Sequence, residues 1–163
     1  MSRRPAAARR QSRRLALQVL YALDLGACAR SQPAPASDEV FERVAASFDL
    51  QPGARAFAED LVRGVALHRE ALDAQIAAHA RNWRVERMAA VDRNVLRLAA
   101  YELTHSETPE SVVLNEAIEL ARDFGAEGSP AFVNGVLDAI AHEVRGPQAR
   151  IEEIEARPEG GGR

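Results

Sequence analysis

From Leu15 to Ile140 the apolar residues of this chain recur at three- and four-residue spacing, and no stretch alternates as a strand would. That periodicity confines the chain to an all-α fold, and its interruptions divide it into about seven helices. Leu15, Ala16, Val19, Leu20 and Leu23 mark one face of a first helix, with Arg13, Arg14, Gln18 and Tyr21 opposite. Pro33 and Pro35 mark the following loop. Ser37 is the expected N-cap of a short second helix buried through Val40, Phe41, Val44 and Phe48. After Pro52-Gly53, the stripe Phe57, Leu61, Val62, Val65, Leu72 and Ile76 predicts one long helix that tolerates Gly64 at some cost. The pattern loosens around Arg81–Trp83 and resumes as Val91, Val95, Leu96, Leu98, Ala99 and Leu103. Thr108-Pro109 and Ser129-Pro130 both read as helix starts with proline at the first helical position. Val113, Ala117, Ile118, Ala121 and Phe124 face inward until Gly125; Phe132, Val133, Val136, Leu137 and Ile140 do so until Gly146-Pro147. The expected organisation is a single compact bundle over residues 9–146. A flexible arginine-rich arm at 1–8 precedes it and a disordered polar tail at 147–163 follows.

At 163 residues the chain can close one core without a disulfide or a structural metal. Cys28 is the single cysteine and has no partner within the chain. His68, His79, His105 and His142 are scattered, and no phosphate-binding glycine loop, HExxH or GxSxG is present. No catalytic residue, metal or cofactor is expected. With no long apolar run and no signal-peptide pattern, a cytoplasmic protein without a membrane role is the default reading.

Charge supplies the functional signal. Arg3, Arg4, Arg9, Arg10, Arg13 and Arg14 are the only charges in the first 23 residues, while the other 140 hold 15 arginines and 24 acids. The net charge of −3 thus combines a +6 start with a −9 body. A cationic segment beside an acidic body fits a polyanion held at one place, most simply RNA. Guanidinium groups pair with phosphate through two hydrogen bonds and stack on bases, and Tyr21 offers a further aromatic surface. All 21 basic side chains are arginine, as a GC-rich genome alone would produce, so the clustering carries the inference rather than the residue choice.

Longer blocks resemble a known family. Arg13-Arg14-Leu15-Ala16-Leu17-Gln18-Val19-Leu20-Tyr21 resembles the opening helix of the bacterial NusB family. Similar matches follow at Asn82-Trp83-Arg84-Val85-Glu86-Arg87-Met88 and from Val91-Asp92-Arg93-Asn94 to Tyr101-Glu102-Leu103. Asn115-Glu116-Ala117-Ile118-Glu119-Leu120-Ala121, Phe124-Gly125 and Phe132-Val133-Asn134-Gly135-Val136-Leu137-Asp138 complete the set, in the family's order.

The resemblance implies a helical, non-catalytic RNA-binding factor. Such proteins pair with NusE, a small-subunit ribosomal protein, and bind single-stranded boxA RNA in nascent ribosomal transcripts. The complex acts on transcribing RNA polymerase with other Nus factors, and it assists rRNA maturation. By position, Arg9, Arg10, Arg13, Gln18 and Phe132 match RNA-binding positions, and Tyr21 and Asp92 match positions that grip NusE. Phe132 equally suits the core, and Asp92 also suits a helix N-terminus, where an acid favours the macrodipole. Arm contacts to about four phosphates would give a log-affinity slope of roughly −3 against log salt. Gly128 and Ala131 depart from an acidic and a basic residue found in some family members.

Two other functional readings stay open at this level: the RNA-targeting domain of an rRNA cytosine methyltransferase, and a helical adaptor that only docks proteins. A homodimer is also open, since the face that would receive NusE can bury itself against a copy. Asn115 and Asn134 are expected to satisfy backbone groups at helix junctions, and Trp83 to plug the packing between the long helix and the next.

Overall fold

Nine residues of one helix, α5 (Ala90–His105), are buried, among them Arg93, Asn94, Arg97 and Glu102. A helix enclosed on every side is ordinarily apolar all round, so each of these polar groups has to find a partner inside. The computed structural model describes residues 3–28 and 37–155, with side chains over 5–26 and 37–146. In chain order the other helices are α1 (Arg3–Cys28), α2 (Ser37–Ala45), α3 (Ala54–Leu67), α4 (Arg69–His79), α6 (Glu110–Phe124) and α7 (Ser129–Glu155). A 3-10 turn, Val85–Arg87, lies between α4 and α5. Helix α5 is the axis: α1, α3, α4, α6 and α7 all pack against it. Every described element is helical, as the periodicity requires.

Helix α1 is surrounded as well, by α2, α3 and α5. Leu15, Ala16, Leu17, Val19 and Leu20 are all buried, but so are Ser12, Arg13 and Asp24. Arg13 therefore does not share an open face with Arg14, Gln18 and Tyr21. Arg13 is 4 % exposed, and its guanidinium donates from Nε and Nη2 to Glu102 at 2.7 and 2.8 Å. A single apolar stripe at three- and four-residue spacing does not reveal this, because packing on more than one side turns a nominally outer position inward.

The long helix expected over Phe57–Ile76 is two helices. His68 ends α3 and begins α4, with φ −105° and ψ 14°. Its backbone N–H donates to the Gly64 carbonyl at 3.1 Å, and its Nδ1 lies 2.9 Å from the same oxygen. The break serves packing: α3 lies on α1 and α5, whereas α4 turns to lie on α5 and α7. Gly64 is needed for close approach, since a Cβ there would overlap the Tyr101 ring. Pro109 stands just outside α6 with ψ 136°, one residue before the expected place, and α7 opens at Ser129, so Pro130 is its second residue rather than its first. Gly146, at φ 67° and ψ −176°, interrupts α7 where Gly146-Pro147 was expected to end it. Pro33 and Pro35, and residues 1–2 and 156–163 of the expected arm and tail, lie outside the described residues.

Removing one member of a buried ion pair strands the other, at a cost of about 3–5 kcal/mol, whereas an apolar replacement of both is often neutral. Arg13→Met should therefore lose about that much stability in urea denaturation, and Arg13→Met with Glu102→Leu should recover most of it. Equal losses in the single and double variants would show that the pair is not what holds α1 to α5.

Candidate nucleic-acid interface

Arg9, Arg10 and Arg14 remain at the surface of α1, and each has a local partner. The Arg9 guanidinium sits 3.8 Å above the centre of the Phe57 ring. Arg10 donates to both carboxylate oxygens of Glu116, at 2.8 and 3.2 Å. Arg14 donates to Asp123 at 2.6 Å and lies 5.0 Å above the Phe124 ring. Arg10 and Arg14 are one helical turn apart, and Glu116 and Asp123 are two turns apart on α6. Hydrogen bonding to Glu116, and then its negative charge, raise the Arg10 pKa above the ordinary value. Two of the three cations of this strip, Arg10 and Arg14, are consequently pre-paired with acids. Exposed pairs of this kind contribute only about 0–1 kcal/mol, so a phosphate can displace them.

A second surface forms where the N-termini of α5 and α7 meet the segment before α5. Phe132 is half-buried, with one side on the core and its ring 5.7 Å from that of Trp83, edge to face at 62°. Trp83 itself is 57 % exposed, so it does not plug a helix junction as its sequence context implied. Met88, Ala89, Asp92, Ala126, Gly128 and Ser129 complete a groove of about 270 Å³ with these two rings. Asp92 lies in the first turn of α5, and its Oδ1 is buried with no hydrogen-bond partner. Gly128 is exposed on the groove wall and Ala131 is exposed nearby, so neither adds charge.

Tyr21 is 38 % exposed on α1, three residues from Asp24, and Gln18 is half-buried one turn earlier. Because Asp24 bonds Arg93, the turn of α1 that carries Tyr21 and Asp24 packs toward the start of α5. The fold thus places Asp92 in one groove with Phe132, and Tyr21 one turn before the Asp24 contact to α5. It keeps Arg9 and Arg10 farther along α1, beside α3 and α6. Asn115 and Asn134 are both exposed on helix surfaces rather than at junctions.

What positions the groove was not visible as a motif. Asp24 is 5 % exposed and accepts from Arg93 Nε and Nη2 at 2.9 and 2.7 Å and from Asn94 Nδ2 at 2.9 Å. Arg93 also donates through Nη1 to the carbonyls of Val85 at 3.2 Å and Met88 at 3.1 Å. Arg97 continues the network to Asp73 of α4, at 2.6 and 2.9 Å. Burial by itself would push the Asp24 carboxyl up, but hydrogen bonds from Arg93 and Asn94 and the charges of Arg93 and Arg97 hold it below the ordinary 3.8. One signal was available in the sequence: Asp24 follows Leu20 by four and Leu17 by seven, on the buried stripe, where an acid demands a cation.

Among the described residues no three His, Cys, Asp or Glu side chains gather to hold a metal ion, and no helix is long and apolar enough to cross a membrane. Fold and surface define a helical binding domain with a cationic strip along α1 and an aromatic groove, bordered by Asp92, where the N-termini of α5 and α7 meet. The chain belongs to the NusB family, which matches residues 10–142. It is 48% identical over 138 residues to a transcription antitermination protein NusB from Geobacter sulfurreducens, covering 82% of this chain and 94% of that one. A NusB from Solibacter usitatus is 47% identical over 143 residues, covering 88% and 94%. In structure the chain resembles antitermination factor NusB in a crystal structure with NusE and dsRNA, with TM-score 0.72, 31% identity, and 84% and 98% coverage.

A carboxylate whose folded pKa is depressed stabilises the fold above its unfolded pKa, and that contribution is lost as pH falls toward the folded value. The Asp24 contribution should therefore be complete at neutral pH and fade on acidification below about pH 4. Asp24→Asn should cost about 3 kcal/mol at neutral pH by leaving Arg93 unpaired, and it should flatten the acid limb of stability against pH. Matching acid limbs for variant and wild type in urea titrations would assign that limb to other carboxylates.

Proposed function

We propose that this chain is a non-catalytic, cytoplasmic RNA-binding factor for transcription antitermination, acting with NusE on single-stranded boxA-type RNA in nascent ribosomal transcripts. Within that complex it would serve transcribing RNA polymerase together with other Nus factors. The observation that carries the reading is a set of solvent-facing arginines, Arg9 and Arg10, on the first helix of a NusB fold. The relatives named as antitermination proteins support the role in antitermination, and the related structure of NusB with NusE and dsRNA supports RNA binding alongside NusE.

The roles divide by chemistry. Arg9 and Arg10 contact phosphates, and Gln18 and Phe132 lie on the RNA side of the surface as polar and stacking contacts. Arg13 takes a structural role, because its guanidinium is consumed by Glu102 inside the fold. Tyr21 and Asp92 receive NusE. The unpartnered Asp92 Oδ1 favours a partner that brings a hydrogen-bond donor or a cation into the groove. NusE then adds protein surface beside Phe132, so base selection depends on both proteins while the phosphate attraction comes from α1.

Fluorescence polarisation of a boxA-like RNA and a scrambled RNA, with and without NusE, tests the reading. Selective binding that is strongest with NusE is the expected result. Arg9→Ala with Arg10→Ala should weaken both RNAs alike and make the salt slope shallower by about 1.4, at about 0.7 per lost phosphate contact. Binding of NusE with no RNA preference and no effect of the arginines would leave a protein-docking adaptor. A separate expectation concerns Glu116. Glu116→Gln removes the acid that competes for Arg10 and should tighten RNA binding about two- to fivefold, the equivalent of up to about 1 kcal/mol. Unchanged affinity would mean that Arg10 binds RNA without leaving its carboxylate.

A further inference from the structure

Most arginines with described side chains are already engaged. Arg10, Arg13, Arg14, Arg55, Arg63, Arg69, Arg93, Arg97, Arg122 and Arg145 lie in ion pairs, and Arg9 stacks on Phe57. Among the arginines with described side chains, only Arg43, Arg81, Arg84 and Arg87 have neither an ion pair nor an aromatic partner. Three of those four fall within seven residues, on the segment between α4 and α5. Each of the three is exposed. A free guanidinium is the cheapest kind to commit to a phosphate, since no internal anion has to be displaced first.

The same segment displays the chain's one tryptophan. Asn82 adopts a left-handed backbone at φ 66°, an uncommon conformation for a residue other than glycine, and the Trp83 N–H donates to the Ala80 carbonyl at 3.1 Å. This turn brings the indole out, 57 % exposed, against the edge of Phe132. Trp83 borders two grooves. One is the Asp92–Phe132 groove; the other, of about 660 Å³, runs along α4 and is lined by Trp83, Arg84 and Arg87 with Asp73 and Glu86. Arg84 and Arg87 are three residues apart across a 3-10 turn, a spacing that puts them on the same side. Asp73 is already held by Arg97, so Glu86 is the only acid of the second groove without a cation of its own.

The platform is rigid where it matters. Val85 and Met88 are each 5 % exposed, and the buried Arg93 guanidinium takes the carbonyls of both while bonded to Asp24. Aromatic faces that stack bases, placed beside cations that follow the backbone, are how proteins bind single-stranded nucleic acid. We propose that the segment Arg81–Arg87 is a second RNA contact, with a base stacked on Trp83 and the following phosphates on Arg84 and Arg87. It extends the strand's path past Phe132 onto the α4 side of the molecule. This rests on reading the chain as an RNA-binding factor.

The single tryptophan makes a direct test available. Titrating wild-type protein with a boxA-like single-stranded RNA, with and without NusE, should quench the Trp83 emission as binding saturates. In polarisation with labelled RNA, Arg84→Ala with Arg87→Ala should weaken binding and make the salt slope shallower by about 1.4. Both side chains are exposed and unpaired, so the thermal midpoint and NusE affinity should stay at wild-type values. Trp83→Leu should weaken RNA binding roughly tenfold with no change in salt slope, since it removes stacking and not charge. Wild-type RNA affinity and slope in the arginine variant, while Arg9→Ala with Arg10→Ala still loses affinity, would overturn the second contact and leave the RNA reading standing. Lost NusE binding with intact RNA binding would reassign the segment to a protein partner. Absence of RNA binding by the wild type in both conditions would overturn the RNA reading and this contact with it.

Discussion

A carboxylate buried between two helices organises much of this molecule. Asp24 draws Arg93 and Asn94 of α5 onto α1, and Arg97 of α5 reaches on to Asp73 of α4. Taken alone, a buried ion pair is weak evidence for stability, because the desolvation of both charges offsets their attraction. Here the value lies in geometry. An apolar contact would tolerate sliding of α1 along α5, whereas five donors in a fixed planar fork accept only one register. Since the remaining Nη1 of Arg93 is spent on the carbonyls of Val85 and Met88, the register of two helices also fixes the segment that displays Trp83.

The arginines consequently fall into two populations that sequence spacing does not separate. Arg13 and Arg14 are neighbours in one basic run, yet the first is enclosed with Glu102 and the second meets Asp123 at the surface. A helix packed along a single stripe would have exposed both. Because α1 is packed by α2, α3 and α5, its buried arc is wide enough to include Arg13, and Glu102 on the enclosed α5 is what makes that tolerable. The NusB resemblance places Arg13 among the RNA-binding positions; the geometry gives it the work of joining α1 to α5.

Helix existence was legible from periodicity because burial follows the apolar stripe almost residue for residue: Val40 and Phe41, Leu61 and Val65, Val133 and Ile140 are all in the core. The break at His68 was not, since the stripe continues through it from Val65 to Leu72 while only the identity of the packing partner changes. Phe132 and Asp92 were legible as candidates, but their union in one groove depends on the approach of the α5 and α7 N-termini, which no local pattern encodes. Trp83 shows the opposite failure. Its size argues for burial, and the left-handed Asn82 beside it, invisible as a propensity, turns it outward.

The two cationic surfaces differ in the cost of engaging an anion. On α1, Arg10 must surrender a two-bond pairing with Glu116, and Arg14 must surrender Asp123, before either neutralises a phosphate. A random polyanion that offers one or two phosphates gains little by that exchange, because it replaces one charge-assisted pair with another. Arg84 and Arg87 impose no such exchange, and their neighbour Trp83 rewards an unstacked base over a duplex. In the proposed binding mode, a strand long enough to reach both surfaces would collect the low-cost contacts first and then displace the acids of α6 with its remaining phosphates at high effective concentration. In that mode the acid pairs of Arg10 and Arg14 select for strand length, and Trp83 selects for unstacked bases.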